Sequence, residues 1–329
     1  LVARLGGGEV AVHLRLYQLL GLLSMAATGL LTALAGPRED RPRLLALVLL
    51  CPLALIEGTL SAHNDGLLAV AAALFALSLR RGGRLGPILA LAALLSGMLV
   101  KISALLLLGF YCAFLFQHLV IDRAPASRRR ALQVILVVAA LAAAVLAIPY
   151  IRRFTMMLGS PTDEDDHCTI SPECGPRMIL HGVFNMPVAA FALGLAFRAG
   201  GLLWLLVAAR RAARLAQEGS ASYGAALGYA AMALGGYYMY LHGWFQLWYL
   251  LPLLPLIPFA DPRARRALSS VCVSGVLANA LDIVWLCAGA PPFDDEHVYL
   301  RIPIQVAKGV LTLGPATYLL LRKRTQPPL

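Results

Sequence analysis

Charge is scarce in this chain. Only 14% of its 329 residues are Asp, Glu, Lys or Arg, where a soluble domain carries about 25%. That shortage excludes an ordinary soluble globular domain. Acidic residues are the scarcer sign, 17 against 28 basic ones. The alternating segments of about ten residues that mark a membrane β-barrel are missing. So are an internal repeat, inverted or parallel, a low-complexity tail and a separate soluble domain. No cleavable signal peptide is evident. The chain opens at Leu1 on a polar stretch with Arg4, Glu9, His13 and Arg15, which reads as an N-terminally trimmed product.

Apolar sequence is abundant. Hydrophobic residues make up 60% of the chain, and the mean hydropathy is +0.75. Runs of about 20 mostly apolar residues recur throughout, each able to cross a hydrocarbon core of about 30 Å. The expected fold class is an all-α polytopic integral membrane protein. Its eleven transmembrane helices would cover 10–35, 44–60, 66–79, 86–100, 102–121, 131–150, 187–209, 222–241, 247–260, 267–289 and 302–321. They form one transmembrane domain, 1–329, with an ordered outer-loop insertion at 151–186. Two spans are irregular. Arg198-Ala-Gly-Gly interrupts the seventh, so residues 187–198 could lie flat at the interface. The ninth carries Pro252, Pro255 and Pro258, tolerated in membrane helices when neighbours satisfy the freed carbonyls.

The net charge of +11 would suit nucleic acid, but its arrangement argues otherwise. Six basic clusters occupy alternate connections: Arg38, Arg41 and Arg43; Arg80, Arg81 and Arg84; Arg123 and Arg128 to Arg130; Arg210, Arg211 and Arg214; Arg263, Arg265 and Arg266; Arg322, Lys323 and Arg324. All fall on one side of an eleven-span chain, which the positive-inside rule makes cytoplasmic. They are topology signals, and no nucleic-acid partner is expected. The opposite face carries residues 57–65, Lys101, the 151–186 loop, the 241–247 turn and the 290–301 loop.

Cys51, Cys112, Cys272 and Cys287 lie in or near spans and suit packing. Cys168 and Cys174 sit six apart in the outer loop, where a disulfide is expected on an oxidising face. A zinc site with His167 is the rival, but it lacks a fourth ligand of suitable spacing. No metal is expected.

The outer face concentrates the chemistry. Between apolar runs lies Glu57-Gly-Thr-Leu-Ser-Ala-His63-Asn64-Asp65. Two carboxylates, an imidazole and a carboxamide there are costly unless they face water, a partner or a substrate. Asp65 reads equally as a helix N-cap. That leaves Glu57 and His63 unexplained, and a carboxylate near an imidazole suits binding or proton transfer. Lys101 reads either as a snorkelling helix end or as a cation for an anionic group such as a lipid phosphate. Arg152 and Arg153 stand on the face where positive charge is disfavoured, which makes them phosphate-clamp candidates. Tyr237-Tyr-Met-Tyr-Leu-His242-Gly-Trp-Phe-Gln246-Leu-Trp248-Tyr249 is either an interfacial aromatic belt or a surface where rings beside His242 and Gln246 hold a sugar or lipid head group. The acidic runs Asp163–Asp166 and Asp294–Glu296 read as solvated surface, with a metal or catalytic role as the alternative.

Together these residues resemble the bacterial polyprenyl-phosphate-sugar-dependent glycosyltransferases of the GT-C superfamily, in particular the α-mannosyltransferase group of mycobacterial-type lipoglycan synthesis. Three pieces carry the resemblance. Pro52-Leu-Ala-Leu-Ile-Glu57-Gly-Thr-Leu-Ser-Ala-His63-Asn64-Asp65 is similar to the family's Pro-Leu-x-Leu-Ile-x-Gly-x-x-x-x-His-Asn-Asp run. An apolar span, a basic turn and a span ending Leu99-Val-Lys101 repeat its order. Gln246-Leu-Trp248-Tyr249-Leu-Leu-Pro252 resembles its Gln-x-Trp-Tyr turn. The resemblance implies transfer of a sugar, expected to be mannose, from a polyprenyl-phosphate donor to a lipid or glycan acceptor, at the extracytoplasmic face of a bacterial inner membrane. Asp65, His63 and Glu57 would be catalytic. Asn64, Lys101, Arg152, Arg153, His242, Gln246, Trp248 and Tyr249 would bind substrate. No cofactor or nucleotide is required. Family members carry a first span and an outer loop with the presumed catalytic carboxylate before this region, and the chain is expected to start at or after that loop. The alternatives are a transporter or flippase for a lipid-linked or polyanionic substrate, which would place ionisable groups near the bilayer midplane and show paired repeats, and a non-catalytic membrane assembly partner.

Overall fold

The computed structural model describes residues 10–61, 63–83, 85–121, 126–158, 172, 174–216, 220–242, 245–287 and 298–322. Among them every regular element is helical. The α-helices are α1 (Val10–Ala35), α2 (Arg41–Leu49), α3 (Asp65–Arg81), α4 (Gly86–Val100), α5 (Ala104–Phe116), α6 (Ala126–Leu158), α7 (Cys174–Met178), α8 (Pro187–Leu215), α9 (Ser220–Gly236), α10 (Pro262–Cys287) and α11 (Val298–Leu321). Wider π-helical turns follow at Ala54–Leu60, Gln117–Ile121, Ile179–Val183 and Tyr237–Leu241, and 3-10 turns at Leu247–Leu253 and Ile257–Phe259.

Local chemistry explains several boundaries. Pro42, Pro87 and Pro187 stand in the first turns of α2, α4 and α8, where a missing N–H costs nothing and φ is already helical. Cys51-Pro52 breaks the second apolar run, and α2 and the π segment meet there at 62°.

By length and apolarity five described helices can cross a membrane: α1, Ala104–Ile121, Arg129–Leu146, α8 and Pro303–Leu321. The bent pair α2 with Ala54–Leu60 makes a sixth if counted as one. The chain is thus a helical membrane protein, with fewer full-length spans than the eleven expected. The shortfall has local causes. α3 has 17 residues and α4 has 15. Residues 247–260, expected as a span, form 3-10 turns instead, because Pro252, Pro255 and Pro258 remove the N–H groups an α-helix would need. These turns lie inside the protein: Leu250, Leu251, Leu253, Leu254, Leu256 and Ile257 are all buried. α9 approaches them so closely that a Cβ on Gly228 would run into the Phe259 carbonyl. Two further expectations change. α8 is continuous through Arg198-Ala-Gly-Gly, and its Trp204 Nε1 donates to the Ala233 carbonyl of α9 at 2.9 Å. The 151–186 loop begins later than expected, because α6 runs on to Leu158.

The core runs through α3, α4, α5, α9 and the 3-10 turns, with Phe75, Leu94, Leu108, Phe114, Leu227 and Leu251 at its centre. α6 and α8 pack outside it and leave Val134, Leu141, Leu202 and Leu203 exposed. In lipid such surface has no hydrophobic cost.

The two ends of the bundle differ in chemistry. At one, Arg80 Nε donates to the Ala35 carbonyl at 3.3 Å, and its guanidinium lies 5.5 Å from the Phe259 ring centre. Three residues past Phe259, α10 begins, and Arg263 donates to the Leu319 carbonyl at 2.9 Å and to the Arg322 carbonyl. The closing end of α11 therefore belongs to this basic end. Glu57, His63, Asp65 and Lys101 occupy the other.

Candidate functional site

The π segment Ala54–Leu60 shapes the first half of the site. Wider turns of this kind often occur at functional sites, because one extra residue redirects the side chains that follow. Ser61 N–H donates to the Ile56 carbonyl at 2.8 Å, and His63 N–H reaches back to the Glu57 carbonyl at 3.2 Å. That backbone bond places the imidazole beside the carboxylate of the residue that accepts it. His63 Nε2 lies 3.3 Å from Glu57 Oε2. Packing holds the segment from behind. A Cβ on Gly21 of α1 would strike the Gly58 carbonyl, and Gln18 Nε2 donates to the Leu60 carbonyl at 3.2 Å.

The second half comes from the α3–α4 hairpin. Asp65 is the first residue of α3, and Lys101 follows the last residue of the antiparallel α4. Lys101 N–H still closes the final turn onto Gly97 at 2.9 Å, but its backbone is extended, φ −154° and ψ 134°. Its side chain turns toward α3, and the ammonium donates to both Asp65 oxygens, at 3.0 and 2.8 Å. The Asp65 side chain is 1% exposed and that of Lys101 24%. A lone buried carboxylate would be strongly unfavourable in this setting, and two charge-assisted bonds offset that cost.

The third contribution arrives from far along the chain. After α9, the π turn Tyr237–Leu241 and the 3-10 turn at Leu247 bring an aromatic shelf under both pairs. The Trp248 ring stacks on His63 with centroids 4.0 Å apart and planes at 17°. Lys101 Nζ sits 4.5 Å from the centre of the Tyr249 ring, within cation–π range. Tyr238 and His242 each lie 5.6 Å from Tyr249, and the Tyr237 ring meets His242 at 5.6 Å.

The result is two carboxylate–nitrogen pairs side by side. The carboxylates sit behind and the nitrogen bases stand forward: the Glu57 side chain is 8% exposed and His63 30%. A carboxylate behind an imidazole fixes the ring, so the other ring nitrogen can take a proton from a neighbouring hydroxyl. The ammonium beside it can meet an anion.

Asp65, expected to be catalytic with His63 and Glu57, is not the carboxylate nearest the imidazole. Glu57 is, and Asp65 is committed to Lys101. Asp65 does not cap α3 either; Asn64 holds the N-cap position, with no side-chain cap bond, and it is exposed. Gln246 is half-buried at the entry to the 3-10 turn, where its carbonyl accepts from Tyr249 N–H at 3.0 Å. Arg152 and Arg153 lie in the last turns of α6, and their side chains fall outside the described residues. Cys168, the run Asp163–Asp166 and the run Asp294–Glu296 are outside them too, so the Cys168–Cys174 pairing has no structural account. Cys51, Cys112 and Cys272 are free thiols. Among the described residues no three His, Cys, Asp or Glu side chains converge as metal ligands.

Sequence reasoning passed over the backing helix. α1 buries Gly21, Ser24, Met25, Thr28 and Thr32, a stripe at helical spacing. Small residues at that period were the available signal, since they let membrane helices approach closely. No known family, curated protein or solved structure matches this chain in comparisons of sequence and fold.

Proposed function

We propose that this chain is an integral-membrane glycosyltransferase. It would move a sugar, mannose first among the candidates, from a polyprenyl-phosphate donor to a lipid or glycan acceptor at the extracytoplasmic face of a bacterial inner membrane. The observation that carries the reading is the pairing of Glu57–His63 with Asp65–Lys101 over the Trp248–Tyr249 shelf at one end of an apolar bundle. His63, backed by Glu57, takes the proton of the acceptor hydroxyl. The acceptor oxygen attacks the anomeric carbon, the bond from that carbon to the phosphate oxygen breaks, and the electron pair leaves with the phosphate. An ammonium has three N–H donors. Asp65 accepts two, and the third is available to the phosphate charge as it develops. Asn64, His242 and Gln246 would bind the sugar, and Arg152 and Arg153 would be further phosphate partners.

The eleven-crossing topology belongs to the same proposal. α3, α4, α9 with its π turn and the 3-10 segment would complete the count as short or irregular crossings, together with the 26-residue α10. Non-helical backbone is tolerated at membrane depth where it is buried in protein, as residues 250–257 are.

One observation favours the transporter reading. Lys308 is buried near the middle of α11, a placement expected of an ion or substrate path. Reconstitution in vesicles separates the two. The transferase reading expects labelled sugar to pass from polyprenyl-phosphate mannose to an acceptor, and His63→Ala to abolish that transfer. Movement of intact donor between leaflets, with no sugar transferred, would replace it with the transporter.

A further inference from the structure

A second feature lies on α11, which contributes no residue to the polar site. A cavity of about 770 Å³ runs along one face of α11, from Gln305 and Val306 past Val310, Leu313 and Gly314 to Arg322. The spacing is that of a single helix face. From Val306 to Arg322 the helix rises about 24 Å at about 1.5 Å per residue, more than the half-thickness of a hydrocarbon core of about 30 Å. Val306, Val310, Tyr318 and Leu321 are exposed, so the groove opens sideways to the surrounding hydrocarbon. Its depth comes partly from Gly314, where an added Cβ would meet nothing within 4 Å. Tyr240 closes the far wall, its hydroxyl 2.6 Å from that of Thr317.

The groove is chemically polarised. Its lining is apolar along most of its length, and Arg322, the one charged residue among the described lining residues, stands at one end. That end is fixed: Arg263 donates to the carbonyls of Leu319 and Arg322, which holds the terminus of α11 while the Arg322 side chain remains exposed. It is also the basic end of the bundle, near Arg80 and Phe259. A guanidinium at a membrane interface suits a phosphate, which it can bind through two parallel bonds, and a basic rim favours anionic lipids. We infer that the α11 groove is a binding site for one anionic phospholipid, its phosphate on Arg322 and one acyl chain laid along Val310, Leu313 and Gly314. This site is separate from the Glu57–Lys101 cluster and does not depend on the transferase reading.

The test uses the full chain, purified in detergent and stripped of lipid, then given phosphatidylglycerol or phosphatidylcholine with identical acyl chains. Bound lipid is counted by native mass spectrometry and stability by thermal unfolding. The wild-type protein should retain one phosphatidylglycerol and show a higher melting temperature with it than with phosphatidylcholine. Gly314→Trp, which fills open space, should retain neither lipid. Arg322→Gln, a surface change that spares folding, should bind the two lipids equally. Equal binding of both lipids by the wild type would overturn the inference, as would Gly314→Trp or Arg322→Gln behaving like the wild type. A lipid-free dimer dispersed by Gly314→Trp would also overturn it, since the groove would then be a contact between copies of the chain.

Discussion

The His63 imidazole lies flat on the Trp248 indole, centroids 4.0 Å apart and planes 17° apart, although the two residues come from opposite halves of the chain. Stacking from one side and the Glu57 carboxylate at 3.3 Å from another leave the ring one orientation. A base of fixed orientation is worth more to proton transfer than a mobile one.

This stacking is expected to matter for rate rather than for folding. Trp248→Ala should lower turnover by less than the roughly 100-fold at the low end of acid–base participation, because the base is misplaced and not removed. Trp248→Phe, which keeps a flat face, should retain most of it. Measuring kcat and KM separately checks the idea. Equal loss in both variants would mean the indole serves the substrate and not His63.

Glu57→Gln keeps the shape of the side chain and removes its charge. Turnover should fall by roughly 100-fold, the scale of acid–base participation, and the pH profile should change with it. The double variant Glu57→Gln/His63→Ala should be no slower than His63→Ala alone. Additive losses would show that the two residues act independently.

The Asp65–Lys101 pair makes a prediction about stability. Breaking a buried ion pair costs about 3–5 kcal/mol. The lower end applies here because the Lys101 side chain is 24% exposed. Lys101→Met should therefore lower the melting temperature sharply, since Asp65 keeps a buried charge. Asp65→Asn/Lys101→Met should recover much of that loss, although both versions should be inactive. A double variant no more stable than Lys101→Met would show that the pair does not hold the hairpin.

Topology is open to direct labelling. With the native cysteines replaced, Ser61→Cys before α3 and Gly83→Cys after it should react with an impermeant thiol reagent from opposite sides of sealed vesicles. Both positions lie in turns of the described chain. Reaction of both from one side would mean that α3 does not cross.

Helix placement was largely legible in the sequence. The limits expected for 10–35 and 86–100 coincide with α1 and α4, because apolar run length and first-turn prolines act locally. The motif 57–65, Lys101 and the Gln246–Tyr249 turn also stand out in the sequence as polar or aromatic groups out of place among apolar runs, which is a property of composition alone. What only the tertiary structure decided was who pairs with whom. Glu57 meets His63 because a π turn returns the His63 N–H to the Glu57 carbonyl, and hydropathy carries no trace of that extra residue per turn. Lys101 reaches Asp65 because α3 and α4 pack antiparallel and finish at the same end of the bundle. Trp248 covers His63 because three prolines hold residues 247–259 in buried 3-10 turns. The apolar runs determined that the chain enters a membrane; backbone hydrogen bonds and helix packing, which act between residues far apart in sequence, decided how its few charges face one another there.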